Sequence, residues 1–470
     1  MWNVHVGIHA APKMAANWVS VEQVTIDILP DDVLLDIYNL YREDDPLPSR
    51  IMWWKPLVDV CKRWRHLIFA SPQSLRLKLL CSPRTPVRES LDIWPPLPMV
   101  VRYQPTEARG EENVIAALKH RNRVSEIRFE GLTSSVLERF AAMMQEPLPA
   151  LTCLRLNSID LPAPVLPDTF LGGSAPCLQT ISLAGTAYPA LPKLVLSASH
   201  LVELHISDDP MATKGAISPD VMAACLAALP NLGVLSLKYL YSRLGARSAP
   251  SSPLPLIRAI LPSLTKFVFV GTSEYLEDLV ARIDVPLLDF VEIAFLRRRA
   301  FDVSYSYILP FINRTEQFKA LSQAFVVLRY WSCKVTLGSP TRLSLEIRGH
   351  TLPQPIAPVA QLCNELSPLL SHVESLEISE DLEDQAEWMV GTENTPWLEL
   401  FRPFSAVRNL FVSKGLQPFI ARVLRELNGG EREREREREA LPALRRLFVG
   451  RPSQPGSLWE VREESFLAVQ

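Results

Sequence analysis

A short pattern, apolar-x-x-apolar-x-apolar, recurs along most of the chain and constrains its fold more than any other feature. The copies are Val124/Ile127/Phe129, Leu151/Leu154/Leu156, Leu178/Ile181/Leu183, Leu201/Leu204/Ile206, Leu232/Leu235/Leu237, Leu264/Phe267/Phe269, Leu288/Val291/Ile293, Leu343/Leu345/Ile347 (first position missing), Val373/Leu376/Ile378, Val407/Leu410/Val412 and Leu444/Leu447/Val449. The first seven start 27, 27, 23, 31, 32 and 24 residues apart. The alternating apolar positions predict strands with one buried face, and their recurrence predicts a stacked repeat array.

Helices are predicted in the gaps between these strands. They cover Ser134 to Gln145, Pro219 to Leu229, Ser273 to Ile283, Arg314 to Trp331, Pro358 to Leu370 and Leu416 to Leu427. Strand, helix and period together resemble an irregular leucine-rich-repeat solenoid. The resemblance implies an α/β fold with a parallel sheet on the concave face, whose x residues are available to a partner. A non-repeat α/β fold could produce a few such strands by chance, and eleven copies favour the solenoid.

The x positions of the strands supply the candidate partner-binding residues. The predicted face includes Arg128, Arg155, Asn157, His205, Lys238, Lys266, Arg348 and Arg408, together with Glu377. Basic side chains outnumber acidic ones in this partial set, which fits an acidic or phosphorylated partner because arginine grips anionic oxygens with a planar fork. The alternative is that these are ordinary solvated strand residues.

The segment from Ile28 to Leu67 predicts two short amphipathic helices joined by a proline-containing loop. Pro30 suits the first turn of a helix, and Val33, Leu34, Ile37, Leu40 and Tyr41 recur at three- and four-residue steps after it. The second helix carries Val60, Cys61 and Trp64, with Lys62, Arg63 and Arg65 on its other side. Two such helices bury little surface against each other and are marginal alone.

This segment resembles the F-box, on the Leu29-Pro30 start, on Val33, Leu34 and Ile37, and on the run Val60-Cys61-Lys62-Arg63-Trp64-Arg65. The stretch that follows, residues 69–103, looks like the continuation found in fungal F-box proteins. The resemblance implies a small helical bundle that docks on the Skp-type subunit of an SCF (Skp–cullin–F-box) ubiquitin ligase. The contacts then fall on Leu29, Pro30, Val33, Leu34, Ile37, Val60, Cys61 and Trp64. The loop with Trp53 and Trp54 is longer than is usual in the family.

These observations divide the chain into four parts. Residues 1–24 are an N-terminal extension expected to be poorly ordered, 25–75 the F-box, 76–120 a linker and solenoid cap, and 121–470 the solenoid. The Glu/Arg run at 431–439 alternates charge without an apolar face, and it predicts a solvated insertion.

Composition narrows the function further. A formal net charge of −3 provides no basic field for nucleic acid, and no apolar stretch is long enough for a membrane span. Seven scattered cysteines suggest neither a disulfide framework nor a zinc site. Phosphate-loop, dinucleotide, nucleophile-elbow and zinc-protease motifs are absent from the sequence. We therefore expect a cytoplasmic or nuclear protein that is not an enzyme and needs no cofactor.

The expected function is that of an adaptor, which docks on the Skp-type subunit and holds an unidentified substrate protein on the solenoid. One alternative is an interaction scaffold whose F-box-like helices only cap the repeat array. These interpretations differ in whether Leu34 and Ile37 are exposed or packed against the first repeats. A divergent α/β enzyme is the second alternative, and it predicts a pocket with converging titratable groups.

Overall fold

A computed structural model of the chain describes residues 28–43, 51–73, 75–85, 87–105, 110–160, 164–208, 217–239, 258–296, 306–329, 331–349, 356–380, 395–429 and 440–450. The predicted N-terminal extension (1–24) and the Glu/Arg run (431–439) lie outside the described residues. Two compact units are present, one up to Leu79 and the other from Leu80 onward.

The described residues of the first unit form three helices, α1 (Asp31–Glu43), α2 (Lys55–Val58) and α3 (Lys62–Ala70). The start of α1 is held by Arg63, whose Nη2 donates to Asp31 Oδ1 at 2.6 Å and to the main-chain oxygen of Leu29 at 2.6 Å. Cys61 forms the N-cap of α3, where its sulfur accepts from the main-chain N–H of Trp64 at 3.5 Å. A sulfur cap replaces the more usual oxygen here.

Aromatic side chains fill the core of this unit. The rings of Tyr38 and Trp64 meet edge to face with centroids 5.1 Å apart, and Trp54 meets Phe69 in the same way at 5.7 Å. Trp54 is fully buried and donates its indole N–H to the main-chain oxygen of Lys78. Burial raises the pKa of Tyr38 to about 12. These large rings supply apolar area that two short helices alone would lack.

The second unit is built on a large sheet. Its strands are β1 (Leu79–Cys81), β2 (Met99–Tyr103), β3 (Val124–Leu132), β4 (Cys153–Ser158), β5 (Thr180–Ala184), β6 (Glu203–Asp208), β7 (Val234–Tyr239), β9 (Lys266–Gly271), β11 (Phe290–Leu296), β12 (Gln323–Leu328), β13 (Ser332–Leu337), β14 (Leu343–Arg348), β15 (Ser375–Glu380), β16 (Asn409–Ser413) and β17 (Arg446–Gly450). A separate two-stranded sheet pairs β8 (Ala259–Ile260) with β10 (Ile283–Asp284).

Helices lie between the strands in sequence. They are α4 (Val87–Ile93), α5 (Glu111–Leu118), α6 (Ser134–Met143), α7 (Leu191–Ser197), α8 (Pro219–Ala227), α9 (Ser273–Arg282), α10 (Ile308–Asn313), α11 (Glu316–Lys319), α12 (Ile356–Glu365), α13 (Ser367–Leu370), α14 (Thr395–Phe401) and α15 (Gln417–Gly429). A short 3-10 turn covers Phe170–Gly173. The expected α/β class and the large, mostly parallel sheet are therefore confirmed.

The strand register follows the sequence pattern. Each of the eleven predicted strands is present, and equivalent apolar residues lie abreast in one buried row. That row runs Ile127, Leu154, Ile181, Leu204, Leu235, Phe267, Val291 and Leu343. Every member of it is at most 1% exposed. A one-residue slip would turn a whole strand's leucines outward, so the buried row fixes the register.

One segment departs from the expected parallel arrangement. The sheet order runs β11-β14-β13-β12-β15, so three strands appear in reverse of their chain order. β13 is antiparallel to both neighbours, whereas β14 is parallel to β11 and β12 is parallel to β15. The sheet is thus two parallel blocks joined through one antiparallel strand.

The helix predicted from Arg314 to Trp331 is wrong. The chain forms only the short α11 there and then enters β12. Ala324, Val326 and Leu328 are each at most 1% exposed, while the residues between them are half-buried. This period of two belongs to a strand, and the continuous apolar run concealed it.

Candidate interaction surfaces

Two surfaces carry side chains that are not used by the core: one on α1 in the first unit, the other on the sheet of the second unit. Helix α1 has two apolar stripes instead of one. Leu34 and Tyr38 form the buried stripe, each with no exposed surface. The second stripe, here called the α1 stripe, comprises Val33 (38% exposed), Ile37 (37%), Leu40 (61%) and Tyr41 (41%).

The predicted F-box contact residues divide between surface and core. Val33, Ile37 and Val60 are exposed, the last by 55%. Pro30 is exposed, and Leu29 and Cys61 are partly exposed. Leu34 and Trp64 are buried at 0% and 7% exposure and belong to the core of the helices. The exposure of Leu34 and Ile37 therefore does not separate the two interpretations, because Leu34 is buried and Ile37 is exposed.

A stripe of large apolar side chains on the surface of a short helix is costly to leave in water, since each carries apolar area that burial would stabilise. Contiguous apolar patches of this kind mark interaction sites more often than single exposed residues do. The α1 stripe is thus a candidate site for docking an apolar surface.

The second surface is the outward face of the sheet, where the x residues of the pattern lie. Strand pairing places one residue of each strand in a middle row across it. From β2 onward the row reads Arg102, Arg128, Arg155, Ser182, His205, Ser236, Val268, Glu292, Ser344, Thr336, Phe325, Glu377, Phe411 and Phe448.

The row changes chemistry along its length. It begins with three arginines, becomes small or apolar and buried at Ser236 and Val268, and ends with the stacked rings of Phe411 and Phe448, whose centroids are 4.5 Å apart. The basic part of the row is therefore at the β2–β4 end, whereas its two acidic residues, Glu292 and Glu377, are partly exposed farther along the sheet.

Most of the predicted face residues lie where the pattern placed them. Arg155, Asn157, Lys238 and Lys266 are exposed, and Lys266 lies over the ring of Phe290 at 5.1 Å. Arg128 and His205 are partly exposed. Arg408 precedes β16 instead of lying on it, and its guanidinium pairs with Glu374 at 3.4 Å.

Two of the basic residues are held by buried carboxylates on the same strand. Arg128 donates from Nη2 and Nε to Glu126 Oε2 at 2.6 and 3.0 Å. Arg348 Nη2 donates to Glu346 Oε2 at 2.8 Å. Burial acts to raise the pKa of Glu346, but the hydrogen bond and charge of Arg348 outweigh it and lower that pKa below its ordinary range. Each ion pair therefore holds its arginine in one position on the face.

His205 lies beside the arginine end of the row. Burial lowers its pKa, and Arg155 and Lys238 lower it further, while Glu203 at 3.6 Å from Nε2 partly offsets them. The lowered pKa favours the neutral imidazole, which can donate or accept a hydrogen bond there.

Sequence reasoning missed Arg102 and Glu126. Arg102 falls in the part taken as a linker and cap, yet β2 belongs to the main sheet and pairs Arg102 with Arg128. The apolar run Met99–Val101 followed by Tyr103 was the available signal for that strand. Glu126 is only 7% exposed, which the alternating pattern alone did not indicate.

Other kinds of site are less developed. Two cavities in the described part have volumes of about 10 Å³, around Thr186 and Tyr188, and about 200 Å³, between α6 and residues 164–167. Among the described residues no cluster of His, Cys, Asp or Glu could hold a metal ion, and no helix is long and apolar enough to cross a bilayer. That the chain is not an enzyme stays a prediction.

Comparison with known proteins adds little to this picture. The sequence matches no protein-family model and no curated protein. Among solved structures, it is similar to the leucine-rich repeat-containing protein LegL7 from Legionella pneumophila, with 11% identity over 79% of this chain and 91% of that one and a TM-score of 0.25. A TM-score this low supports no conclusion about the fold or function of this chain. No family is shown.

Proposed function

We propose that this chain is a protein-interaction adaptor, whose first unit docks on the Skp-type subunit of a cullin ubiquitin ligase and whose sheet carries the target protein. The F-box resemblance supplies the partner, and the observation that supports it is the α1 stripe. Its four apolar side chains follow one another at helical spacing and remain 37% to 61% exposed. A partner surface that covered them would remove this apolar area from water.

In this function the chain makes and breaks no covalent bond. The adaptor raises the effective concentration of the target near the ubiquitin-charged partner of the ligase. The first unit supplies one binding surface and the sheet of the second unit supplies the other. An interaction scaffold without any role in ubiquitination is the alternative function.

Co-purification of the full chain with the Skp-type subunit tests the proposal. The informative variant is Val33→Asp/Ile37→Asp, because both positions are exposed and carboxylates there leave the core intact. Leu34→Asp is unsuitable, since a buried carboxylate without partners would unfold the helices. The matched control is Ile159→Asp/Leu287→Asp, which makes the same change at two exposed apolar positions of the second unit.

We expect the wild type and the control to bind at micromolar concentration, and the Val33/Ile37 variant to lose at least about tenfold in affinity, equivalent to about 1.4 kcal/mol. Unchanged circular dichroism of the variant would show that the helices remain folded. If the wild type does not bind, or if both double variants lose binding equally, the α1 stripe does not dock on this subunit. The scaffold function would then be the better account.

A further inference from the structure

Three arginines lie directly opposite one another on neighbouring parallel strands of the sheet. Arg102 of β2 pairs with Arg128 of β3, and Arg128 pairs with Arg155 of β4. Neighbouring strands are about 4.8 Å apart, so the row spans about 10 Å of main chain. Like charges placed opposite each other on one face of a sheet are destabilising. We call these three residues the arginine row.

The free chain neutralises only part of this charge. Among the described residues, the ion pair of the arginine row is the one between Arg128 and the carboxylate of Glu126. Arg155 is exposed, and its guanidinium lies beside the thiol of Cys153 on the same strand. The Nε–H of Arg102 is buried and has no acceptor in the described structure, although a buried donor without a partner is costly.

Neutral hydrogen-bonding groups adjoin the row on its open side. Ser182 follows Arg155 in the middle row, and His205 follows Ser182. Asn157 lies two residues after Arg155 on the same strand and is exposed. The β2–β6 end of the face also carries Glu130 and Glu203, which contact Gln104 and His205. The positive charge is therefore concentrated in the arginine row itself, and a partner with anionic side chains would complement that row and the donors beside it.

We propose that the arginine row binds an acidic segment of the target protein, in which aspartate or glutamate side chains recur. This rests on the proposed function, because it assigns the chemistry of the partner that the sheet holds. Side chains on one side of an extended peptide recur about every 7 Å, so two carboxylates lie within the length of the row. A row that spreads charge over three strands suits such a series better than one compact anion.

Fluorescence polarisation with a labelled ten-residue glutamate peptide tests this, using the full chain at low ionic strength. The key variant is Arg155→Met, which keeps the side-chain stem and removes the charge. The matched control is Arg446→Met, an exposed arginine on β17 at the far end of the sheet. We expect Arg155→Met to weaken binding about tenfold and the control to change it less than about twofold. Binding should also weaken as salt is raised to about 0.3 M.

Several results would overturn the proposal. They are an absence of glutamate-peptide binding at millimolar concentration, an equal loss for Arg446→Met, and equal binding of a ten-residue glutamine peptide. A phosphoserine peptide that binds when the glutamate peptide does not would replace the acidic segment with a phosphorylated one. Binding to the Skp-type subunit is measured on the same variants. If the chain binds the subunit but not the peptide, the proposal for the arginine row is refuted and the docking function is not. If the chain binds the peptide but not the subunit, the docking function is refuted and peptide binding by the arginine row is not.

Discussion

Replacing arginines of the row by methionine should change stability in opposite directions. In Arg128→Met, Glu126, whose side chain is only 9% exposed, loses two hydrogen bonds of 2.6 and 3.0 Å to a guanidinium. Removing one partner of a buried ion pair costs about 3 to 5 kcal/mol. Because 31% of the Arg128 side chain is exposed, water reaches the site, and we expect a loss of about 2 to 3 kcal/mol.

Arg155→Met should instead leave stability unchanged or raise it by a few tenths of a kcal/mol. Arg155 is exposed, and its removal relieves repulsion with Arg128 on the neighbouring strand. The double variant Glu126→Gln/Arg128→Met should recover most of the loss, since the buried group is then neutral.

Urea unfolding followed by circular dichroism measures all three variants. The reasoning fails if Arg128→Met costs less than about 1 kcal/mol, or if Arg155→Met costs as much as Arg128→Met. It also fails if neutralising Glu126 does not restore stability. In that last case the loss would come from the packing of the arginine stem and not from the buried charge.

Three further predictions concern single positions. Tyr275→Phe removes a buried hydroxyl that donates to the main-chain oxygen of Ile217 at 2.9 Å, so urea unfolding should show a loss of about 1 to 3 kcal/mol; an unchanged midpoint would contradict this. Gly185→Ala places a Cβ against the main-chain oxygen of Ser158 at a φ of +60°, and it should lower the melting temperature by several degrees, whereas a wild-type value would show that the turn relaxes. Because the folded-state pKa of Glu346 is lowered, its stabilising contribution is present above the ordinary value of 4.5 and is lost as pH falls below it. Glu346→Gln/Arg348→Met should therefore lose less stability than wild type on acidification, and equal losses would refute the assignment.

The buried side of the sheet could be predicted from the sequence because its signal is periodic. Leu154, Ile181 and Leu204 recur at the same place in each copy and lie abreast in the structure. Strand β12 was missed because its apolar run is continuous and hides its period, and β13 was not among the predicted strands although Cys333, Val335 and Leu337 alternate along it. The reversed strand order depends on which edges pair, and that is a property of the whole sheet.

The interaction surfaces were harder to predict for a different reason. Helical spacing groups the apolar residues of α1 but does not say which stripe is covered, and Leu34 is buried where Ile37 is exposed. Arg102 could be assigned to the arginine row only after the pairing of β2 with β3 was known. The sequence pattern identifies which residues point outward. Which of them lie side by side on neighbouring strands depends on how the strands pair, and that is known only from the fold.

The reversed order of β12, β13 and β14 affects how the chain assembles as it leaves the ribosome. In a purely sequential array, each strand pairs with the one just made. Here β11 must wait until β14 has been synthesised, and β12 receives its second neighbour only when β15 follows. During that interval β11 presents an unpaired edge, the kind of surface to which other chains add strands. A nascent chain that stops between β13 and β14 exposes the edge of β11 and also the outer edges of the β12–β13 pair, whereas a chain that stops after β7 exposes at that end only the edge of β7. The first chain should therefore need a chaperone more than the second.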